Sequence, residues 1–515
     1  MQPVVLDTSA LSVQAVEDVA RRGARVTIAP EAVEALCDGR QALEQALGAT
    51  GALYGVNTGF GSLGRTRIAP DDIRAVQRNL VRSHAAGVGE PFPDDVVRAM
   101  LLLLCASLCR GKSGVRPEAA QAIADLLNAG VTPVTPSIGS VGASGDLAPL
   151  AHCALALIGE GEVVYKGERM RAAAALHHAG LEPFVLDSKE GLALLNGTHL
   201  MAAQGALLLA DLARVFDAAL DAAAMSIDAC RGSDSFLDPR VYEARNQPGP
   251  THVAHELAQR IHGSAIIPSH LHDDPRVQDP YSLRCAPMIL GAAHDAMAYA
   301  RAAIEHELGA VTDNPLVFPP DDRPRPAEGS HAADAVISAG AFHGMPLAIP
   351  LDTLAIALSH VAGVSERRVY YILSASDEQN PLNPHLSPQP GLHSGLMIAQ
   401  YTAAACVNEM MGLATPASVA NIPTSAGMED YNSFGPRSAA KARRSLELCA
   451  NVVAIELLCA AEAMEYQRPL RSGEGVERAY ATVRNVVPRL TEDRPPAPDI
   501  AALTRLIFEG RFGKH

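Results

Sequence analysis

The triplet Ala143-Ser144-Gly145, inside "SIGSVGASGDLAPLAH" (137–152), can build an electrophile from its own backbone. Gly145 has no Cβ, so its amide nitrogen can approach the carbonyl carbon of Ala143 closely. The hydroxyl of Ser144 can leave as water. Ring closure and dehydration would give a methylidene-imidazolone, an electrophile that no natural side chain provides and that otherwise calls for a cofactor. The same residues also read as a plain loop-to-helix junction, with an N-cap at Ser144-Gly145-Asp146 ahead of "LAPLAHCALALIG". A phosphate cradle is excluded. The stretch has no Lys for a P-loop, and its glycines lack the dinucleotide spacing.

Other residues could serve such an electrophile. Tyr54, in "YGVNTGFGSLG" (54–64), is either a loop anchor or a proton-abstracting base. The second role needs a lowered pKa or a partner, since free Tyr titrates near about 10. Arg284 sits in the apolar "YSLRCAPMILG" and needs an anion, either a substrate carboxylate or a structural acid. Tyr281 falls on the same face as Arg284 if the segment is helical, and Gln278 lies just upstream. Asn196, in a long apolar run, needs hydrogen-bond partners if buried. His252 and His255 share a helical spacing, but no third ligand stands at a clear distance, so no metal site is expected.

These residues need elements to position them. Ala and Leu dominate the chain, and strand-like alternation is rare. A stretch from Gly191 to Arg231, without Pro, reads as one long helix, apolar on most faces and therefore set inside a bundle. Further helices are expected near 281–308, 332–373, 393–413 and 436–466. The Val-rich "ARVTIAP" and "GEVVYKGERM" read as small hairpins, and Pro-rich loops fall at 317–329, 381–391 and 492–500. The expected fold class is mainly α. A mixed N-terminal domain (1–190) with the Ala-Ser-Gly loop precedes a domain of long bundled helices (191–515).

Bulk composition excludes several functions. With 48% apolar and 19% charged residues the chain is globular. A net charge of −15 argues against nucleic acid and anionic membranes, and the lack of Trp argues against base-stacking platforms. The apolar run 99–109 is shorter than the roughly 20 residues a bilayer requires. Nine scattered Cys without a CxxC read as reduced thiols, and the N-terminus has no signal-peptide pattern, so a cytoplasmic location is expected.

"SVGASGDLAPLAH" resembles the signature of the aromatic amino acid lyases, which include histidine, phenylalanine and tyrosine ammonia-lyases. "YGVNTGFGSLG", "RNLVRSHAAGVGEP", "GLALLNGTHLM", "VQDPYSLRC", "VTDNPLVF", "AFHG", "GLHSGLMIAQ" and "SAGMEDYNSFG" follow in the family's order, so the resemblance spans nearly the whole chain. It implies an ammonia-lyase-like helical fold and a 4-methylidene-imidazol-5-one group (MIO) formed from Ala143, Ser144 and Gly145. It implies Tyr54 as the base. It also implies substrate contacts from His84, Asn196, Gln278, Tyr281, Arg284, Phe342 and Glu429, an amino acid substrate and a homotetramer. Ser83-His84 and Glu429 match the histidine-lyase version of the pocket. A carboxylate facing an imidazole N–H is useful, whereas facing a phenyl ring it would be desolvated without return. The expected reaction is therefore L-histidine to urocanate. Departures from the usual histidine-lyase pattern stand at His199, Ala286, Met288, Ala341, Met428 and Tyr431. They keep open a tyrosine, phenylalanine or modified-histidine lyase, an MIO aminomutase, and an inactive helical scaffold.

Overall fold

The computed structural model describes residues 1–513 except 50–52, 54, 60, 62–65, 273 and 320–334. Most of the Pro-rich loop expected at 317–329 therefore lies outside the described residues, as does Tyr54. The chain forms two compact units, Met1–Leu207 with Ala302–Leu351 and Ala417–Ala440, and Leu208–Arg301 with Asp352–Pro416 and Lys441–His515.

The first unit is built around the helix Asp94–Cys109, whose residues Val96, Val97 and Ala99–Cys109 are all buried. A helix apolar on every face must be surrounded. Val13–Arg22 and Pro117–Ala129 flank it, and each ends on a left-handed Gly, Gly23 (φ 69°) and Gly130 (φ 70°). The strand predicted within "ARVTIAP" forms, but not as a hairpin. Val26–Ile28 pairs in parallel with Val4–Leu6, and the helix Val13–Arg22 provides the crossover that parallel pairing requires. "GEVVYKGERM" does fold as a hairpin, Glu162–Tyr165 against Glu168–Arg171, with Val131–Pro133 on its other edge.

The second unit is helical. It contains the later part of His199–Ala229, most of Ala286–Glu307 and Met345–Ser374, then Met397–Leu413 and most of Gly435–Met464. Its interior holds small residues such as Ala218, Ala219, Ala222 and Ala223, which let helix axes approach. Gly249 and Gly291 mark one such approach, since a Cβ on Gly249 would fall 2.1 Å from the Gly291 carbonyl oxygen. Among the described residues one helix, Met345–Ser374, is long and apolar enough to cross a membrane. With 67% of its apolar window buried in protein, it behaves as a core helix.

The helix expected over 191–231 is interrupted. Glu190–Ala193 is a short turn, Asn196-Gly197-Thr198 is non-helical with Gly197 at φ 131°, and the long helix starts at His199. Composition hid this break, because Gly197 was counted as a tolerated helical glycine. The helix expected from 332 begins at Met345, after the short pair Leu316–Val317 and Val336–Ile337.

Candidate active site

The loop that carries Ala143-Ser144-Gly145 links the strand Pro136–Ile138 to the helix Leu147–Leu157, and both of its flanks are pinned. Upstream, the carbonyl of Val141 accepts from the Phe434 amide (2.9 Å). The carbonyl of Gly142 accepts from the Ser433 hydroxyl (2.9 Å) and from the Gly344 amide (3.1 Å). Downstream, the Asp146 amide donates to the Gly197 carbonyl at 2.7 Å. This is what the break before His199 provides: a helical Gly197 would have spent that carbonyl inside its own helix.

Gly145 lies at φ 72°, and a Cβ there would sit 2.1 Å from the Gly197 carbonyl oxygen. Only glycine fits. Ser140 ties the turn internally, its hydroxyl donating to the Gly145 carbonyl (3.1 Å) and accepting from the Gly142 amide (3.2 Å). Among the described residues, no hydrogen bond engages the Gly145 amide or the Ala143 carbonyl, the two groups that ring closure would join. The triplet therefore fits the methylidene-imidazolone that its residue types imply.

Asp146 occupies the N-cap position of Leu147–Leu157 but makes no side-chain cap to it. Its carboxylate caps a different helix, accepting from the amides of Leu200 (2.9 Å) and Met201 (3.1 Å) at the start of His199–Ala229, and from the Ser140 hydroxyl (3.2 Å). Complete burial outweighs these donors and pushes its pKa up to about 7. The folded pKa thus exceeds the ordinary 3.8, so its contribution to stability is full below that value and is lost as pH rises through about 7. Asp146→Asn retains an acceptor for both amides. The thermal midpoint of the parent protein is therefore expected to fall relative to Asp146→Asn as pH rises from 4 to 7, with a limiting slope of about 1.4 kcal/mol per pH unit. Equal pH profiles for the two proteins would show that the carboxyl ionises normally.

Ser144 borders two cavities of about 450 and 590 Å³, both also bordered by Asn196 and Glu429. Its hydroxyl donates to Glu429 Oε1 at 2.8 Å, and the Thr424 hydroxyl donates to Oε2 at 2.7 Å. Glu429 is further held by paired backbone bonds with Thr424. The smaller cavity is lined by Leu80, Ser83, His84, Leu192 and Leu195. His84 closes the helix Ile73–His84, with Nδ1 2.9 Å from the Leu80 carbonyl oxygen. A carbonyl can only accept, so Nδ1 is the donor in that contact, with the Ser83 hydroxyl 3.1 Å from the same nitrogen. Asn196 is 5% exposed, and its side-chain oxygen has no partner among the described residues. A buried amide oxygen left free beside Ser144 is positioned to accept from an amine. The larger cavity adds Ala143, Asn314, Phe342, His343, Met428 and Tyr431.

Thus Ser144, His84, Asn196, Phe342 and Glu429 come together in the first unit. Gln278, Tyr281 and Arg284 form their own cluster in the second. Tyr281–Arg284 is a helical turn, as the spacing suggested. The guanidinium lies 4.7 Å over the Tyr281 ring and donates to Gln278 at 2.6 Å, and Arg284 Nε is buried with no partner among the described residues. Sequence reasoning missed Ser140, Thr424 and Ser433, small hydroxyl residues that looked like ordinary loop composition. His199 is buried with both ring nitrogens unpartnered, and burial pushes its pKa down to about 3, so the ring stays neutral. It packs over Gly197, where a Cβ would meet its ring at 2.5 Å. Among the described residues no cluster of metal-ligating side chains occurs; His252 stacks on His294 at 4.6 Å instead.

Residues 11–485 match the family model described as aromatic amino acid lyase. A histidine ammonia-lyase of Sorangium cellulosum is 48% identical over 504 residues, 97% of this chain and 96% of the relative. Among solved structures, histidine ammonia-lyase from Trypanosoma cruzi superposes with a TM-score of 0.89 at 36% identity, covering 99% of this chain and 94% of that one. Tyrosine aminomutase from Streptomyces globisporus superposes with a TM-score of 0.90 at 34% identity, covering 99% and 97%.

Proposed function

The chain belongs to the aromatic amino acid lyase family, and from that premise we propose that it eliminates ammonia from L-histidine to give urocanate, with MIO formed from Ala143-Ser144-Gly145. The protein is a carbon–nitrogen lyase. The observation that carries the substrate assignment is the position of Glu429, which borders the His84-lined cavity while contacting Ser144. MIO supplies the electrophile that activates the substrate amine as a leaving group. Around it, the Asn196 oxygen accepts from the amine. Glu429 is an acceptor for imidazole N–H beside the His84 ring, and a phenyl ring would leave it unpaired at a cost of about 1–3 kcal/mol.

Arg284, with Gln278 and Tyr281 beside it, holds the α-carboxylate. Tyr54, outside the described residues, takes the β-proton. Phe342 packs against the electrophile. Arg284→Met is expected to raise KM for histidine about 10- to 100-fold, the worth of a charge-assisted hydrogen bond, while the mass of the protein still shows a mature MIO. An unchanged KM would remove Arg284 from carboxylate binding.

The working form in this reading is a cytoplasmic homotetramer whose sites draw on several subunits. Two features support it. The nine cysteines are all free. The second unit exposes Leu392, Ile398, Tyr401 and Met411, an apolar set suited to a partner surface.

The test is a panel of L-amino acids followed by ultraviolet absorbance of the conjugated acid. Signal from histidine is expected. Signal from tyrosine or phenylalanine alone would overturn the roles of His84 and Glu429. A β-amino acid product would mark an aminomutase.

A further inference from the structure

A carboxyl group in contact with a hydroxyl that must leave as water is placed to help it leave. We propose that Glu429 has an earlier role than substrate binding: it is the general acid that expels the Ser144 hydroxyl when MIO is made. The proposal rests on the reading that the triplet does form MIO.

Among the described residues Asp146 adjoins the triplet, Glu429 bonds its serine, and Asp430 lines the larger cavity with no hydrogen bond to the triplet; their engagements separate Asp146 from Glu429. Oδ2 of Asp146 is committed to the Leu200 and Met201 amides. Oδ1 faces the Ser140 hydroxyl, not that of Ser144, and shares its one proton with the Gly145 carbonyl. Glu429 Oε1 lies 2.8 Å from Ser144 Oγ, and Oε2 is held by Thr424 at 2.7 Å. That second bond fixes the carboxyl plane and leaves Oε1 aimed at the leaving oxygen. The turn carrying Glu429 is set by the paired backbone bonds between Thr424 and Glu429, with Ser425 and Ala426 at positive φ (52° and 53°). This is a rigid mounting, as proton transfer within hydrogen-bond reach requires.

The chemistry balances without an oxidant. The Gly145 nitrogen bonds to the Ala143 carbonyl carbon. That carbon's oxygen leaves as water with the amide protons of Gly145 and Ser144, giving the ring C=N bond. Ser144 then loses its Cα proton to solvent as the Cβ–Oγ bond breaks. For this step the carboxyl is in its protonated form and the 2.8 Å contact runs from Oε1–H to Oγ, so that Oγ departs with its own proton and that one, as the second water. Glu429 recovers a proton from solvent. Afterwards the same carboxylate borders the finished group, free of its serine partner and available to substrate.

The readout is intact mass against time after synthesis, with no reference to turnover. The parent protein is expected to lack two waters; a parent lacking none would sink the MIO reading itself, before Glu429 is tested. Glu429→Gln keeps the shape but cannot donate a proton. It is expected to lose the second water about 100-fold more slowly, the usual worth of a general acid, so that a chain lacking one water accumulates. Thr424→Val, which frees Oε2 but keeps the carboxyl, is expected to slow the same step less. Formate added to folded Glu429→Ala is expected to restore the second loss. Loss of both waters from Glu429→Gln at the parent rate would overturn the proposal. So would a natively folded Glu429→Gln that retains both waters, since that places Glu429 at ring closure.

Discussion

Ser144→Ala is expected to keep the fold and to lose ammonia release from histidine by at least about a thousandfold, equivalent to about 4 kcal/mol of barrier. In the unprocessed chain the hydroxyl makes one side-chain bond, to Glu429, in a partly buried position, so relative to that chain its removal costs about 1 kcal/mol of stability. The chemical loss is far larger, because no other group in the cavity walls is electrophilic among the described residues. Asn196, His84 and Glu429 all present acceptors or nucleophiles to an incoming amine. The measurement is paired: intact mass, which should show no second water lost, and ammonia release by the same sample. Activity retained together with an unprocessed mass would show that the elimination needs no MIO.

The largest expected effect on stability lies away from this loop, at a fully buried ion pair in the second unit. Arg368 and Glu456 are both 0% exposed, with Nε–Oε1 at 2.5 Å and Nη2–Oε2 at 2.8 Å. Ser226 and Ser365 donate to the same carboxylate at 2.6 Å each, so every strong acceptor direction is used. Breaking such a pair from one side leaves an uncompensated charge in a dry interior. Arg368→Met is accordingly expected to cost about 3–5 kcal/mol, read as a fall in the thermal or denaturant midpoint. Arg368 also donates to the Ser282 carbonyl, inside the turn Tyr281–Arg284. The variant should therefore raise KM for histidine as well. The double variant Arg368→Met/Glu456→Met removes both charges and should regain much of the loss, since a buried pair replaced by apolar groups is often neutral. A single variant as stable as the parent would mean that the site is hydrated.

Much of the helical content was legible because it follows from local composition. Long apolar, Ala-rich runs without an interior Pro appear as Met397–Leu413 and Gly435–Met464, the latter with Pro436 in its first turn, close to the expected 393–413 and 436–466. The break at Asn196-Gly197-Thr198 was not legible. The Asn-Gly pair in "LLNGTHL" is a turn signal, but the apolar run on both sides of it outweighs it in a reading by periodicity. The Gly197 carbonyl is taken by the Asp146 amide, and the first helical amides beyond it by the Asp146 carboxylate. The break is thus decided by a residue some fifty positions upstream. The spacing of Tyr281 and Arg284 puts them on one face of a helical turn, and there the guanidinium lies over the ring. It could not foretell that Arg284 Nε would be buried with no partner among the described residues.

The sequence by itself determined what the triplet can become. A glycine amide next to a serine next to an alanine carbonyl is covalent connectivity, and its reactivity travels with the three residues. It also determined the family, through motifs in a shared order. Tertiary structure alone decided which groups attend that triplet: Glu429 at the hydroxyl, 285 residues away, Gly197 under Gly145, and Ser433 and Gly344 on the carbonyl before it. The physical reason is range. Bonds and helical neighbours act over a few residues, whereas a hydrogen bond of 2.8 Å between distant segments exists only after the core has packed them together.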